Sequence, residues 1–406
     1  MRLTHLSLTN FRNFTRLDLD VPSGVVMVVG DNAQGKTSLL EAIYFLATLT
    51  SFHTSSDKQL INFIEARQSL AVGRIVADFS RRKERHQLEV RIIQEPNGQN
   101  SNTHIRKEVL VDGVRRKTGD VIGQFNAVLF LPQMMGVIEG GPEERRRYLN
   151  LALAQVIQHY QGTLSEYNKS LVQRNALLKQ LFERRGDNAQ LDYWDDQIAT
   201  YGAQLIHARI RAVQELERLA ARTHRELTHA HEVLRLNYQP SYDPLPQSPG
   251  QIALPLEAAV DRGGFTQEQI RKGFLECLQN LRLEEIARGV TTIGPHRDEL
   301  RFLANGVDLG TYGSRGQARS AILALKIAEV TWMYDKSGHW PVLLLDEVLA
   351  ELDTQRRYDL LQRLDQAEQV MLTTTDADLF APEFVQKANL WKVAGGRVEK
   401  TSPSEL

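Results

Sequence analysis

The stretch "GDNAQGKTSLLEAIYFL", Gly30 to Leu46, decides the fold class. Its first eight residues match G-x-x-x-x-G-K-[ST] at every fixed position. The run before it, "GVVMVVG" (Gly24–Gly30), is short, apolar and rich in β-branched residues, as a buried strand is. The run after it places Leu39, Leu40, Ile43, Tyr44 and Leu46 toward one side of a helix beginning near Lys36. Strand, glycine-rich turn and helix N-terminus together make a phosphate cradle. The turn through Gly30, Asn32, Ala33, Gln34 and Gly35 can wrap backbone N–H groups round an anion at the positive end of the helix dipole. Lys36 is expected to reach the β and γ phosphates of a nucleotide, with Ser38 part of the binding turn, and the Thr37 hydroxyl to ligate Mg²⁺.

"VLLLDE" (Val342–Glu347) supplies the complement. Its apolar residues bury a strand, and Asp346 leaves the C-terminal end, where a carboxylate can hold Mg²⁺ through water. Glu347 is placed to polarise an attacking water. Taken alone, the run would equally describe a buried strand with an acidic cap. In a simple P-loop domain the lysine and the Mg²⁺ aspartate lie within one or two βαβ units, whereas here 310 positions separate Lys36 from Asp346. That spacing predicts a nucleotide-binding head split by an insertion. Shortly upstream of Asp346, "YGSRGQARS" carries Ser314, Gly316 and Gln317 as an S-x-G-Q element opening a helix. A glycine-flanked serine at a helix N-terminus is a ready γ-phosphate ligand, and the element resembles the signature motif of ABC-type ATPases. In isolation it also reads as a capped helix with a flexible entry.

The insertion has its own rhythm. No proline occurs between Pro142 and Pro240, and Leu153, Ile157, Tyr160, Leu164, Tyr167, Leu171, Leu178 and Leu181 follow steps of four and three, with Arg174 breaking one slot. After "RRGDNAQ" the rhythm resumes at Trp194, Ile198, Tyr201, Leu205, Ala208 and Ala212. The pattern predicts an antiparallel helical hairpin with a heptad seam, each arm about 60 Å long at 1.5 Å per residue. An ordinary helical domain fits the same residues. The expected organisation is therefore α/β: an N-terminal lobe over 1–140, a helical, short coiled-coil-like insertion over 141–290, and the rest of the head over 291–406.

Composition narrows the class. The chain has 406 residues, 42% hydrophobic and 24% charged, as soluble globular proteins do. Cys277 is the only cysteine, so an intrachain disulfide and a cysteine zinc site are excluded, and a reducing cytoplasm is expected. No apolar run reaches the roughly 18–20 residues of a membrane span. The N-terminus "MRLTHLSLTNFRNF" lacks a signal-peptide core and reads as a strand. With a net charge of −1, nucleic-acid binding requires a local patch. Residues 79–119 offer one: Arg81, Arg82, Lys83, Arg85, Arg115, Arg116 and Lys117 cluster at the ends of a predicted hairpin. Such cations give salt-dependent, sequence-independent affinity for phosphates, or else protect a strand edge by charge.

"LTNFRNF", "GPEERRRYLN", "LDYWDDQIATYG", "TTIGPHRDEL", "GSRGQARSAILALKIAE" and "LLLDEVLAELD", with the P-loop, resemble in order and spacing the RecF family of bacterial recombinational-repair proteins. The resemblance implies an ABC/SMC-type ATPase head that binds ATP and Mg²⁺ between two copies. Lys36 and Thr37 of one copy would face Ser314, Gly316 and Gln317 of the other. It also implies a D-loop at Asp353, a water- and Mg²⁺-sensing glutamine at Gln133, and a nucleotide-proximal element at Arg12 and Asn13. Gln133 and the pair Asp346–Glu347 depart from common family choices toward the general ABC pattern. Where ABC ATPases usually place a histidine, Thr373 to Thr375 stand, with Thr375 the expected switch. His296, in the family motif "GPHRDEL", is structural or nucleotide-proximal. The implied partners are gapped duplex or single-strand/double-strand junctions, RecR and RecO, and indirectly RecA. A transporter-type ATPase subunit and a DNA clamp without useful turnover are the rival readings.

Overall fold

The computed structural model describes residues 1–96, 103–245, 261–352, 354–364 and 367–402. Contacts divide the chain into two compact units, one formed by residues 1–133 and 333–406 and the other by 134–332. The described strands, in chain order, begin with β1 (Arg2–Phe11), β2 (Phe14–Asp20), β3 (Gly24–Val29), β4 (Ala71–Arg81), β5 (Glu84–Pro96), β6 (Thr103–Val111), β7 (Val114–Arg116) and β8 (Ala127–Phe130). The second unit contributes β9 (Leu234–Gln239), β10 (Glu299–Ala304) and β11 (Val307–Asp308). The chain then returns to the first unit with β12 (Val342–Asp346), β13 (Gln369–Thr374), β14 (Asn389–Ala394) and β15 (Arg397–Thr401).

The first unit holds two six-stranded sheets. One is antiparallel, ordered β2-β1-β4-β5-β6-β7. Leu3, Leu6 and Leu8 of β1 are all fully buried although Leu3 and Leu6 are three apart, because a register shift between Leu3 and His5 absorbs the odd residue. The other sheet runs β15-β14-β3-β13-β12-β8, parallel except for β15 at its edge. Its strands are near-continuous apolar runs because both faces are covered. The helix Lys36–Thr48 packs on β8, β12 and β13 of this sheet and also on β4 of the other. It is therefore buried on nearly all sides from Leu39 to Thr48, not along the single face expected from its sequence. Parallel pairing sets Asp346 beside Thr373 and Thr374 beside Val29, so the C-terminal ends of β3, β13 and β12 share one edge. The two motifs far apart in sequence meet there.

In the second unit the expected two-arm hairpin is instead a layered helical domain. The first arm is broken between helices Pro142–Val156 and Tyr160–Phe182, at a left-handed His159. The second is a single helix, Gln190–Leu227, of 38 residues. A third helix, Gln267–Arg288, packs against both Tyr160–Phe182 and Gln190–Leu227. Arg174, which breaks the heptad, is itself fully buried on the seam. Its Nε donates to Asp195 at 2.7 Å, and its Nη1 lies 2.7 Å from Glu285 of the third helix and 2.8 Å from the Thr291 hydroxyl. Arg282 donates to the other oxygen of Asp195 at 2.7 Å. Asp195 of the second helix is shared between Arg174 and Arg282, so the third helix supplies the second carboxylate, Glu285, that balances the seam, and a two-stranded heptad pattern could not reveal this.

The stretch 291–332, expected with the C-terminal part of the head, lies in the second unit. β10 pairs along its length with β9, and with β11, in a three-stranded sheet, so pairing draws it there. The "GPHRDEL" residues make their bonds within this unit. Asp298 accepts from Arg209 (2.7 Å), from the Tyr238 hydroxyl (2.5 Å) and from the Ser241 N–H (3.0 Å). His296 Nδ1 lies 2.7 Å from the Tyr167 hydroxyl, and burial pushes its pKa down to about 4. Arg145 pairs with Glu299, and Arg146 donates to the Asp298 carbonyl. No helix among the described residues is long and apolar enough to cross a membrane.

Candidate functional site

The P-loop turn is shaped by what a side chain would strike. Gly35 has φ 119, and a Cβ there would come within 2.5 Å of Asn13 Nδ2; at Gly30 a Cβ would lie 2.4 Å from the Val393 carbonyl of β14. Gly30 requires glycine for close backbone approach, and Gly35 for its positive φ. Asn13 donates to the Gln34 carbonyl at 2.8 Å, and the Gln34 side chain accepts from the Gly395 N–H at 2.7 Å, fixing the turn from outside.

Lys36 is buried, and its ammonium donates to the carbonyls of Gly30 (2.7 Å) and Asp31 (3.0 Å). It also lies 3.2 Å from Glu347 Oε1. The Thr37 hydroxyl donates to Asp346 Oδ1 at 3.0 Å, and the Thr373 hydroxyl donates to the same oxygen at 2.7 Å. Thr373 Oγ1 in turn accepts from the Glu347 N–H at 3.1 Å. The residue in contact with the acidic pair is thus Thr373, while Thr375 is exposed. Glu347 stands at φ 53, a left-handed conformation that costs a non-glycine residue about 1–3 kcal/mol and turns its carboxylate toward Lys36.

Burial pushes the Asp346 carboxyl above its ordinary pKa, the hydroxyls of Thr373 and Thr37 pull it back, and Glu347 adds to the rise. A buried carboxylate held only by hydroxyls gains from a hard cation beside it. Its oxygens, with the Thr37 hydroxyl, are the donor set that suits Mg²⁺ completed by water and phosphate.

A cavity of about 440 Å³ opens on these groups. Arg12, Asn13, Asn32, Ala33, Gly35, Lys36, Thr37, Ser38 and Glu347 line it, as the motif analysis expects, together with Gln59, Ile61 and Phe63. The last three escaped sequence reading because they belong to an irregular segment after the helix. The signal available was Phe63 itself, an aromatic 66% exposed in "LINFI", with Arg67 5.6 Å from its ring centroid. Arg12 is largely committed within the fold: it grips buried Glu41 through two bonds of 2.7 Å and donates to the Gln59 carbonyl. Gln133 follows β8 in a short 3-10 turn, exposed and outside the cavity lining. Asp353 lies outside the described residues.

The signature residues belong to the second unit. The Ser314 Oγ accepts from the Gln317 N–H at 3.2 Å, and the Gln317 side-chain oxygen accepts from the Ser314 N–H at 2.9 Å, a reciprocal capping box. The capped-helix reading therefore holds within this chain, and Ser314 keeps its own hydroxyl hydrogen to donate. A Cβ at Gly316 would meet only the Ser314 Oγ, at 3.9 Å. Nothing among the described residues requires glycine there, although glycine weakens a helix by roughly 0.5–1 kcal/mol.

The basic cluster is gathered at one end of the antiparallel sheet. Arg82 and Lys83 form the left-handed two-residue turn between β4 and β5. Because Leu88 pairs with Val111, the β6–β7 turn runs alongside the start of β5, and Asp112 accepts from the Gln87 N–H at 2.8 Å. Arg115 and Arg116 lie on edge strand β7 with Lys117 following. Edge protection thus accounts for Arg115 and Arg116 but not for the cations between the interior strands β4 and β5. Arg81 donates to the Gly123 carbonyl, Arg82 to the Ser337 carbonyl, and Arg115 pairs with Glu108, whereas Lys83, Arg85, Arg116 and Lys117 are exposed.

The family model for the RecF/RecN/SMC N-terminal domain matches residues 2–393. The DNA replication and repair protein RecF of Chloroflexus aurantiacus is 40% identical over 407 residues, covering 98% of this chain and 99% of that protein. The protein of the same name from Enterococcus faecalis is 33% identical over 403 residues, covering 99% and 100%. Among solved structures, "Structure of the recombination mediator protein RecF-ATPrS in RecFOR pathway" aligns with a TM-score of 0.82 at 29% identity, covering 99% of this chain and 98% of that one. An SMC head bound to the C-terminal winged-helix domain of ScpA aligns at 0.51 with 15% identity, covering 100% and 99%, a likeness of fold alone.

Proposed function

Since the chain belongs to the RecF/RecN/SMC N-terminal domain family, we propose that it is a DNA replication and repair ATPase whose nucleotide site is completed by a second copy. One observation carries the reading: the Thr37–Asp346 hydrogen bond, with the Lys36–Glu347 contact beside it, joins motifs 309 positions apart into one oxygen-rich crevice. Lys36 orients the nucleotide phosphates, and Thr37 and Asp346 hold Mg²⁺, which when bound offsets phosphate charge. Phosphates take over the Lys36 ammonium, and this frees Glu347 to accept the proton of an attacking water. Ser314 and Gly316 of the partner copy close over the γ-phosphate, and Gly316 lets the two backbones approach. Gln133 and Asp353 are assigned by family pattern to water sensing and to the interface. A solved RecF relative is described as ATP-bound, and this supports ATP as the ligand.

In this reading ATP makes dimerisation conditional, and the dimer holds gapped duplex or single-strand/double-strand junctions through the basic end of the sheet. With RecO and RecR it would assist the loading of RecA. The test is sizing and DNA binding with and without ATP, on duplex, gapped and single-stranded substrates across salt. ATP should convert monomer to dimer and raise affinity for gapped DNA. Charge reversal at Arg116 and Lys117 should lower the salt slope by about one per lost phosphate contact. An ATP-independent oligomeric state would overturn the dimer reading, and an unchanged slope would remove the basic end from the DNA surface.

A further inference from the structure

The signature turn is tied to a residue that no motif contains. Gln317 uses its side-chain oxygen on the Ser314 N–H, and its amide nitrogen donates to Glu232 Oε1 at 2.9 Å. The other oxygen of Glu232 lies 3.6 Å from Nε2 of His224, fully buried near the end of the 38-residue helix. Glu232 is placed there by a strained turn. His229 and Ala230, directly after that helix, are both left-handed, at φ 50 and 64. Asn305, at the tip of the β10–β11 hairpin, clamps the far side: its side-chain oxygen accepts from the Val233 N–H at 2.9 Å, and its N–H donates to the Val233 carbonyl at 3.1 Å.

We propose that Glu232 is a positioning residue for the signature motif. A free glutamine side chain samples several rotamers, and its capping bond to Ser314 is then intermittent. With the amide nitrogen held by a carboxylate, the oxygen faces the Ser314 N–H, and the Ser314 Oγ stays bonded to the Gln317 N–H. That arrangement spends the acceptor side of the hydroxyl inside the chain and aims its hydrogen outward, as donation to a γ-phosphate oxygen of a second copy requires. The contact also joins the end of the long helix to the signature turn, so displacement of the helix is felt at Ser314. The inference rests on the dimer reading given above.

The test uses the full chain as wild type, Glu232→Ala, Glu232→Gln and Ser314→Arg, with three readouts. These are binding of a fluorescent ATP analogue to the monomer, ATP-dependent dimerisation by light scattering, and thermal unfolding. Glu232→Ala should bind the nucleotide as wild type does but raise the dimer dissociation constant about ten- to a hundredfold, the range for losing a hydrogen bond to a charged group. Glu232→Gln keeps an acceptor and should stay within about threefold. If Glu232→Ala dimerises like wild type while Ser314→Arg does not, the role of Glu232 is overturned and the dimer reading stands. Equal losses in Glu232→Ala and Glu232→Gln, with lowered unfolding temperatures, would make the residue merely structural and overturn it as well. If Ser314→Arg itself dimerises with ATP, the dimer reading has failed.

Discussion

Two ionic networks sit in the two units, and they differ in one respect. Lys36, Thr37 and Glu347 line a cavity, with Asp346 hydrogen-bonded to Thr37 and the Glu347 side chain 40% exposed. Arg174, Asp195 and Glu285 are sealed at 0% exposure among three helices. An open network can exchange a partner for a ligand, whereas a sealed one can only be kept or broken. The strained backbone at Glu347 belongs to the open network, where stability is given up for placement. Charge burial alone therefore does not mark a functional site; access does.

The two networks are separated most clearly at Glu347 and Arg174. Glu347→Gln should slow ATP hydrolysis about a hundred- to ten-thousandfold, lengthen the life of the ATP-bound dimer and leave the unfolding temperature close to wild type. Unchanged dimer lifetime would remove Glu347 from hydrolysis. Arg174→Ala should do the reverse, since it leaves buried Glu285 without its cation and Asp195 with Arg282 alone. Chemical denaturation should show a loss of about 3–5 kcal/mol, with ATP binding by the folded fraction intact. Little loss would mean that water enters the seam.

A smaller effect is expected at the rim of the open site. Phe63→Ala should weaken ATP binding about tenfold, within the range for losing one base–aromatic stack, and leave tripolyphosphate binding unchanged. Equal weakening of both ligands would place Phe63 at the phosphates instead.

A further effect concerns pH. His339 in the first unit and His296 in the second both have pKa values lowered to about 4, mainly by burial. A histidine depressed from about 6.5 stays neutral in the fold while the unfolded chain takes up a proton. Its contribution is fully present above about pH 6.5 and is lost as pH falls toward about 4, by at most about 1.4 kcal/mol per pH unit for each residue. Urea titrations at pH 7.5 and 5 should show it, and His296→Gln should reduce the slope. A slope unaltered by that change would show that His296 titrates normally.

The open site was largely legible in sequence because a P-loop and an acidic strand end impose fixed residues at fixed spacings on one backbone geometry. Lys36, Thr37, Asp346 and Glu347 converge as those spacings imply. Gln59, Ile61 and Phe63 were not legible, since an irregular segment has no period to read. The helical unit was legible only in part, for a different reason. Periodicity reports that Arg174 falls on an apolar seam but cannot report that Glu285, over a hundred positions later, neutralises it there. The same holds for 291–332, whose strand character was plain while its pairing with β9 was not, because register is a property of two segments.

Whether each nucleotide site is built from two copies is decided by mixing Lys36→Ala and Ser314→Arg chains. Neither alone can assemble a complete site, yet a heterodimer pairs the intact P-loop of one with the intact signature turn of the other. ATP hydrolysis near zero in each separate sample and clearly restored in the mixture is the expected result. Turnover by Ser314→Arg alone at the wild-type rate would contradict it.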